Sequence, residues 1–529
     1  NDITGEEAVN GLSGHAYPGN VNTNLVNNTN AAIDVTFTFT PELAGCTDGT
    51  SESVVVTVEP TPVINAVLNS SAVICDNGNV NISITNPGSS SVPGAMTFGV
   101  VVTSSTGDLN DITGEEALNG LTGQLYPSNA ITTLTNNTNS NIDVTFSFIP
   151  ELTGCTDGTP ANVVITVEPT PTLNPVLNTG TIICDGDNVD ITINSTSNSS
   201  IPGNLTYAVS VATSTGDLSD VTGEEALNGL TGQPFVGNAN TNLVNNTANA
   251  IDVTFTFTPE LSGCVDGPSA DIVVTVEPTP SLAPTLNTAA VICDGGTVDI
   301  DITSTSVSSN VADLTYGVTV TSSTGNLSDI SGEETVNGLT GQTYPGNVGA
   351  TLVNNTNANI DVTFTFTPEI ASCTSGPSVD VIVTLEPTTS LNATLNSAAI
   401  ICNGGNVEIS IASTATSSDT IDMTYDVTVS STNLGATGGS AFVNTVDDTY
   451  PGNTLGILTN SSDEDITVTF TYTPKLTGCT DGLPVDVDVI VEPTPSAIMA
   501  LVSDPTICNG GSVSIDVTTP TFPNSPANL

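Results

Sequence analysis

Apolar and polar positions alternate along this chain in short runs, and the runs recur at a fixed interval. Between residues 170 and 278, Val189, Ile191 and Ile193 alternate with Asp190 and Thr192. Leu205, Tyr207, Val209 and Val211 alternate with Thr206, Ala208 and Ser210. Ile251, Val253, Phe255 and Phe257 alternate with Asp252, Thr254, Thr256 and Thr258. Ile272, Val274 and Val276 alternate with Asp271, Val273 and Thr275. A period of two with one apolar face describes a half-buried antiparallel strand. Each apolar face needs a partner sheet, and no segment sustains a helical period. The pattern predicts an all-β fold, a tandem and elongated array of antiparallel β-sandwich domains.

Between these strands the sequence predicts two connections. Residues 259–267 form the long loop of the last hairpin. Residues 217–233, acidic and glycine-rich, form a long loop with one short helical turn at 224–227. Glu-Pro-Thr-Pro punctuation recurs at 59–62, 168–171, 277–280 and 492–495, and as Glu-Pro-Thr-Thr at 386–389. Two prolines two apart stiffen the chain and cannot continue a central strand, so these read as short, semi-rigid linkers.

The cysteines set the period. They stand at 46, 75, 155, 184, 264, 293, 373, 402, 479 and 508, with 29 residues inside each pair and 109, 109, 109 and 106 from pair to pair. One domain copied in tandem is the reading. The boundaries fall at 1–60 (a partial repeat), 61–169, 170–278, 279–387, 388–493 and 494–529 (a second partial repeat). The chain opens at Asn1 and stops at Leu529 in mid-repeat, which predicts a window cut from a longer protein. Each full repeat is long enough to bury its own core.

Regularly spaced cysteines without neighbouring metal ligands predict disulfides and an oxidising, extracellular location. Three pairings fit the arithmetic. Bonds within a repeat are favoured: Cys75–Cys155, Cys184–Cys264 and Cys293–Cys373, 80 apart, and Cys402–Cys479, 77 apart. Closing such a loop is worth about 4 kcal/mol in the chain-entropy model. A second option spans a linker, as in Cys46–Cys75. A third joins the start of one repeat to the hairpin loop of the next, as in Cys75–Cys264. Strand direction counts against the favoured choice, because the first turn and last hairpin of a standard sandwich lie at opposite ends.

Charge narrows the partners. The chain carries 55 acidic residues and one basic side chain, Lys475, for a formal net charge of −54. Nucleic acid and anionic membrane surfaces are excluded, since nothing neutralises phosphate. The acidic loop recurs as Asp108, Asp111, Glu115 and Glu116, as Asp217, Asp220, Glu224 and Glu225, and as Asp329, Glu333 and Glu334. Hard carboxylate oxygens around glycines are the donor type that calcium takes, which makes these residues the candidate metal set. In the fourth full repeat the loop becomes 435–440 and loses its acids. The alternative is a solvated, self-repelling loop.

Catalysis finds no footing. His15 is the one histidine, Gln replaces it in later repeats, and no phosphate loop or Ser-His-Asp set can be assembled. Trp is absent and aromatics make up 4% of residues, so sugar-stacking platforms are scarce. The rings at Tyr17, Tyr126, Phe235, Tyr344 and Tyr450 read as turn anchors on the core. The Asn-Asn-Thr runs at 27–29, 136–138, 245–247 and 354–356 read as polar Asn turns.

The order Ile-Cys-Asp-Gly, alternating strand, Thr-Phe-Thr-Phe-Thr-Pro, Gly-Cys-Thr-Asp-Gly and a Val-rich strand ending in Glu-Pro-Thr-Pro resembles the PKD-like and immunoglobulin-like repeats of very large surface proteins in Bacteroidota. Gliding-motility adhesins exported by type IX secretion are the best-known members. The chain departs from PKD domains in lacking their Trp-Asp-Phe-Gly-Asp-Gly signature. The resemblance implies a β-sandwich array on a cell surface, a stalk that projects an adhesive tip. Its partners are then neighbouring repeats of the same chain, with other copies of itself or a host or cell surface beyond. A self-assembling filament or surface layer is the alternative, and a glycan-binding array is disfavoured.

Overall fold

Alternating strands pair into two facing sheets in every full repeat. A computed structural model describes residues 1–201, 203–418, 423–432 and 444–521. In the sandwich between residues 65 and 167, one sheet runs in the order Gln124–Leu125, Met96–Ser104, Ile142–Leu152, Ala161–Val167, Val73–Ile74. The facing sheet runs Asn65–Leu68, Gly78–Thr85, Ser128–Asn136, Ile112–Thr113. Every neighbour is antiparallel except one: Val73 and Ile74 lie parallel to Thr166 and Val167, at the far end of Ala161–Val167. The next sandwich repeats this, with Ile182 and Ile183 beside Thr275 and Val276. The molecule is all-β, built of tandem antiparallel sandwiches.

The chain forms two units, residues 1–247 with 251–276, and 248–250 with 277–529. The first holds the strand pair Ile33–Phe39 and Glu52–Val58 and two sandwiches. The second holds two sandwiches and the strand pair Ile498–Leu501 and Ile515–Thr518. Among the described residues, no helix is long and apolar enough to cross a membrane.

The predicted alternation is the burial pattern. Along Ile251–Leu261 every odd-numbered residue is buried, and the evens are half-buried or exposed. Phe255 and Phe257 sit fully enclosed between the sheets, as do Phe146 and Phe148, Phe364 and Phe366, and Phe470 and Tyr472. Full burial of one such ring contributes about 3 kcal/mol. Four of the five expected turn anchors pack on the core; Tyr17, in the partial first repeat, is 76% exposed instead. Tyr126 lies 5.1 Å from Phe98, Phe235 5.3 Å from Tyr207, Tyr344 5.1 Å from Tyr316 and Tyr450 5.0 Å from Tyr425, centroid to centroid.

Two local expectations need correction. The strand Ile251–Leu261 runs straight through Pro259, where a loop was expected. Pro259 pairs with Tyr207 on one side. On its other side the ladder with Ala270–Val276 has already ended at Phe257, so the missing N–H interrupts nothing there. The acidic loop 217–233 holds two 3-10 turns, Leu218–Asp220 and Glu224–Ala226, rather than one helical turn. The acid-free loop at 435–440 lies outside the described residues.

Replacing Phe146 by Ala removes a ring that no neighbour can replace. We expect a loss of about 3–5 kcal/mol in chemical denaturation. Thr145→Ala, on the outer face of the same strand, should change stability by less than about 0.5 kcal/mol.

Candidate functional site

The parallel pair at the end of each sandwich decides where its cysteines stand. Cys75 follows Ile74, beside Val167, the last residue of Ala161–Val167. Cys155 lies in the hairpin loop before Ala161, the first residue of that strand. Seven residues of strand separate the two ends, about 20 Å at 3.3 Å per residue. A disulfide needs Cα atoms about 4.4–6.8 Å apart. The favoured within-repeat bond is therefore overturned. Cys75 bonds Cys264 of the next sandwich, Cα to Cα 5.5 Å, and Cys293 bonds Cys479 in the same way, 5.6 Å. Cys75–Cys155, Cys184–Cys264, Cys293–Cys373 and Cys402–Cys479 do not form: Cys155 and Cys402 are free, and Cys264, Cys293 and Cys479 are taken elsewhere. The start-to-next-hairpin option is the one observed. Cys184 and Cys373 are also disulfide-bonded.

The linker between the bonded sandwiches is held from both sides. On the backward side, Asp76 accepts a hydrogen bond from the Thr170 hydroxyl, 2.6 Å, and one from the Asn136 backbone N–H, 2.8 Å. Asn136 is buried and donates Nδ2–H to the Val167 and Ser140 carbonyls, 3.0 and 2.8 Å. Its Oδ1 accepts from the Thr138 N–H and hydroxyl, each 2.9 Å. The Asn-Asn-Thr run is thus a buried polar turn that fixes the end of the sandwich. On the forward side, Glu168 is buried and accepts both the N–H and the hydroxyl of Ser200 in the following sandwich. Asn141 donates its N–H to the Asn198 carbonyl, 3.0 Å, and Asn198 donates to Asn139, 2.8 Å. Glu-Pro-Thr-Pro is thus a bracket, with its Glu reaching forward and its Thr reaching back.

The same parts recur. In the second unit Glu386 accepts from Ser418, Thr388 donates to Asp294, the Asn359 N–H donates to the Thr416 carbonyl, and the Thr416 N–H donates to the Asn357 carbonyl. At the first linker, Glu59 accepts from Ser91, and that hydroxyl holds its carboxyl below the usual carboxylate range. The hairpin loop supplies a further contact. Gly267 lies over the carbonyl oxygen of Pro171, where any Cβ would collide, and Gly158, Gly376 and Gly482 lie in the same way over Pro62, Pro280 and Thr389.

Contacts spread around one linker, of which one is covalent, leave it little freedom to bend. Sequence reasoning identified the linker and the cysteines but missed Glu168, Ser200, Asp76 and Asn136 as junction residues. Their signal was present as recurrence at the repeat period, without any chemistry to mark it.

The acidic loop does not assemble a cation site. Asp108 and Asp217 cap the 3-10 turns, accepting from the Asn110 and Ser219 N–H at 2.9 Å. The Ser219 N–H lowers the Asp217 carboxyl. Glu116, Glu225 and Glu334 accept from the N–H of Gly114, Gly223 and Gly332, at 2.6, 2.6 and 2.7 Å. Asp111, Asp220 and Asp329 close the preceding turns, and their carbonyls accept from Asn137, Asn246 and Asn355. Glu115, Glu224 and Glu333 fold inward and are buried. Among the described residues no group of three or more His, Cys, Asp or Glu side chains is placed to hold a metal. Asp108, Asp217, Glu116, Glu225 and Glu334 are thus each engaged by a local backbone N–H.

Lys475 answers a second substitution. Elsewhere its position is glutamate: Glu151 accepts from Gly123 N–H and lies against Gly99. In the fourth full repeat Asp426 takes the place of that glycine, and Lys475 pairs with it at 2.7 Å.

No protein-family model and no curated protein matches the chain. Solved structures with similar elements include the FN1–FN3 domains of chicken CNTN1, at 13% identity, TM-score 0.22, covering 61% of this chain and 98% of that one. The ICAM-5 D1–D4 ectodomain fragment matches at 13% identity and TM-score 0.28, over 82% of this chain and 100% of that one. Escherichia coli alpha-2-macroglobulin matches at 11% identity and TM-score 0.20, over 89% of this chain, which spans 35% of that protein's length.

Glu115 sets a pH dependence. Burial, then the neighbouring Glu116, raises its pKa, and its Oε2 has no hydrogen-bond partner. A carboxyl raised on folding adds stability that is complete below its unfolded pKa and is lost as pH rises through the folded value. Glu115→Gln should therefore raise the melting temperature at pH 7, by about 1 kcal/mol in stability. It should have little effect at pH 3, as followed by circular dichroism.

Proposed function

We propose that this chain is a tension-carrying spacer in an extracellular surface protein, a stalk segment that projects an adhesive tip. It has no catalytic role, and its constant partners are its own neighbouring sandwiches. The observation that carries the reading is the bond between Cys75 and Cys264. A pull along the chain enters at Cys75, crosses the sulfurs and leaves at Cys264, bypassing a sequence separation of 189 residues. A bond inside one sandwich would protect that domain alone. A bond across the junction protects the linker as well.

Composition fits the same task. Disulfides persist in oxidising surroundings. A net charge of −54 keeps neighbouring stalks apart, and one Lys with no Arg leaves almost nothing for trypsin-like proteases to cut. Lysine-based isopeptide staples are unavailable to repeats without lysine, so cysteine supplies the covalent reinforcement.

Single-molecule stretching tests this. The oxidised chain should not release the residues between Cys75 and Cys264. Adding reductant should release them as an extra contour length of about 640 Å, at 3.4 Å per residue over a separation of 189, with a further ~630 Å from the Cys293–Cys479 bond, separation 186. Equal extension with and without reductant would remove the spacer reading.

A further inference from the structure

The disulfide between Cys75 and Cys264 lies among acids and outside the two cores it joins. Both cysteines are half-exposed, and neither belongs to the apolar cluster of its own sandwich. Asp76 follows Cys75 directly, and the exposed Asp266 stands two residues beyond Cys264. At about 3.8 Å per chain step, each aspartate lies within one Debye length, ~8 Å at physiological salt, of the cysteine it follows. The bond Cys293–Cys479 carries Asp294 and Asp481 in the same places. The chain supplies no cation to offset them. Its one basic side chain, Lys475, is paired with Asp426 at 2.7 Å and lies 3.7 Å from Asp447.

Breaking the Cys75–Cys264 bond leaves both sandwiches their own supports. In the hairpin, the Cys264 N–H donates to Leu261 at 2.8 Å and the Gly267 N–H to Pro259 at 3.0 Å. In the first turn, the Gly78 N–H donates to Cys75 at 2.9 Å. Thr170 keeps its bond to Asp76, and Glu168 its bond to Ser200. Reduction therefore turns a covalent joint into a hydrogen-bonded one without opening either core. Charge then decides which reductant reaches it. A small thiol attacks as its thiolate, so it brings one negative charge beyond those it already has. A thiol with an ammonium group arrives neutral. A thiol with a sulfonate or carboxylate arrives doubly negative, and the aspartates repel it.

We propose that the bond between Cys75 and Cys264 is a redox joint guarded by charge, which opens to cationic and neutral thiols and resists anionic ones. Cys293–Cys479 is guarded in the same way. The guard regulates the bond that carries the spacer reading, and it rests on that reading. In the opening step a small thiolate attacks one protein sulfur. The protein S–S bond breaks, a mixed disulfide forms, and the other protein sulfur leaves as a thiolate that takes up a proton. A second small thiolate then attacks the mixed disulfide. It releases the second protein thiol and one small-molecule disulfide, so two small thiols are oxidised as the cysteine pair is reduced.

The whole oxidised chain, with existing thiols blocked, is treated with cysteamine or with 2-mercaptoethanesulfonate. Maleimide quenching at timed intervals, an acid-directed protease and mass spectrometry follow the thiol appearing at Cys75. Each rate is divided by that thiol's rate on an uncharged small disulfide. At about 20 mM salt the corrected rate with cysteamine should be higher by about tenfold or more. At about 1 M salt, where the Debye length is ~3 Å, the ratio should fall to near one. Asp76→Asn combined with Asp266→Asn should shrink the low-salt ratio by about threefold. Asparagine fits the first position: Asn403 holds it in the fourth full repeat, accepting from the Asn460 N–H at 2.8 Å and donating to Thr494 at 2.6 Å. Circular dichroism should keep its β signal on reduction. Equal corrected rates at low salt, a ratio unmoved in the double variant, or loss of the β signal would overturn the proposal. Stretching with neutral dithiothreitol tests the spacer reading separately, because that reductant does not sense the guard.

Discussion

An antiparallel sandwich places its first turn and its last hairpin at opposite ends, and most of this molecule's organisation follows from that separation. Two cysteines in one domain, at Cys75 and Cys155, stand a full strand apart and cannot meet. Two cysteines in successive domains, at Cys75 and Cys264, meet at 5.5 Å. A cross-link that would otherwise close one fold becomes a joint between two. Sequence distance is no guide here, since the shorter loop is forbidden and the longer one forms.

The joint gives the linker its role. Proline stiffness alone leaves a semi-rigid tether. Here Glu168 is buried against Ser200 ahead of it and Thr170 is bound to Asp76 behind it, while Asn136 ties the strand end to the turn before it. A buried carboxylate without a cation is tolerated because the serine N–H and hydroxyl supply the hydrogen bonds it loses from water. In a chain with one basic side chain, hydrogen bonds to hydroxyl and backbone groups are the means left for holding acids in place.

Much of the fold was legible in the sequence because period-two alternation is a local property. Ile251, Val253, Phe255 and Phe257 point inward as their spacing says, and Tyr126 and Tyr344 anchor turns on ring neighbours. What was not legible depends on neighbours distant in sequence. Pro259 reads as a loop residue until its partner strand is seen to have ended. That Asp217 and Glu225 each hold a backbone N–H two residues away was not legible either. The pairing of Cys75 required the short parallel contact of Val73 and Ile74, two residues with no pattern of their own.

Covalent bonds join successive sandwiches rather than closing single ones. Unreduced peptide mapping at Cys75 tests this most directly. One linked species carrying Cys75 and Cys264 is expected. A linked species carrying Cys75 and Cys155 would contradict it.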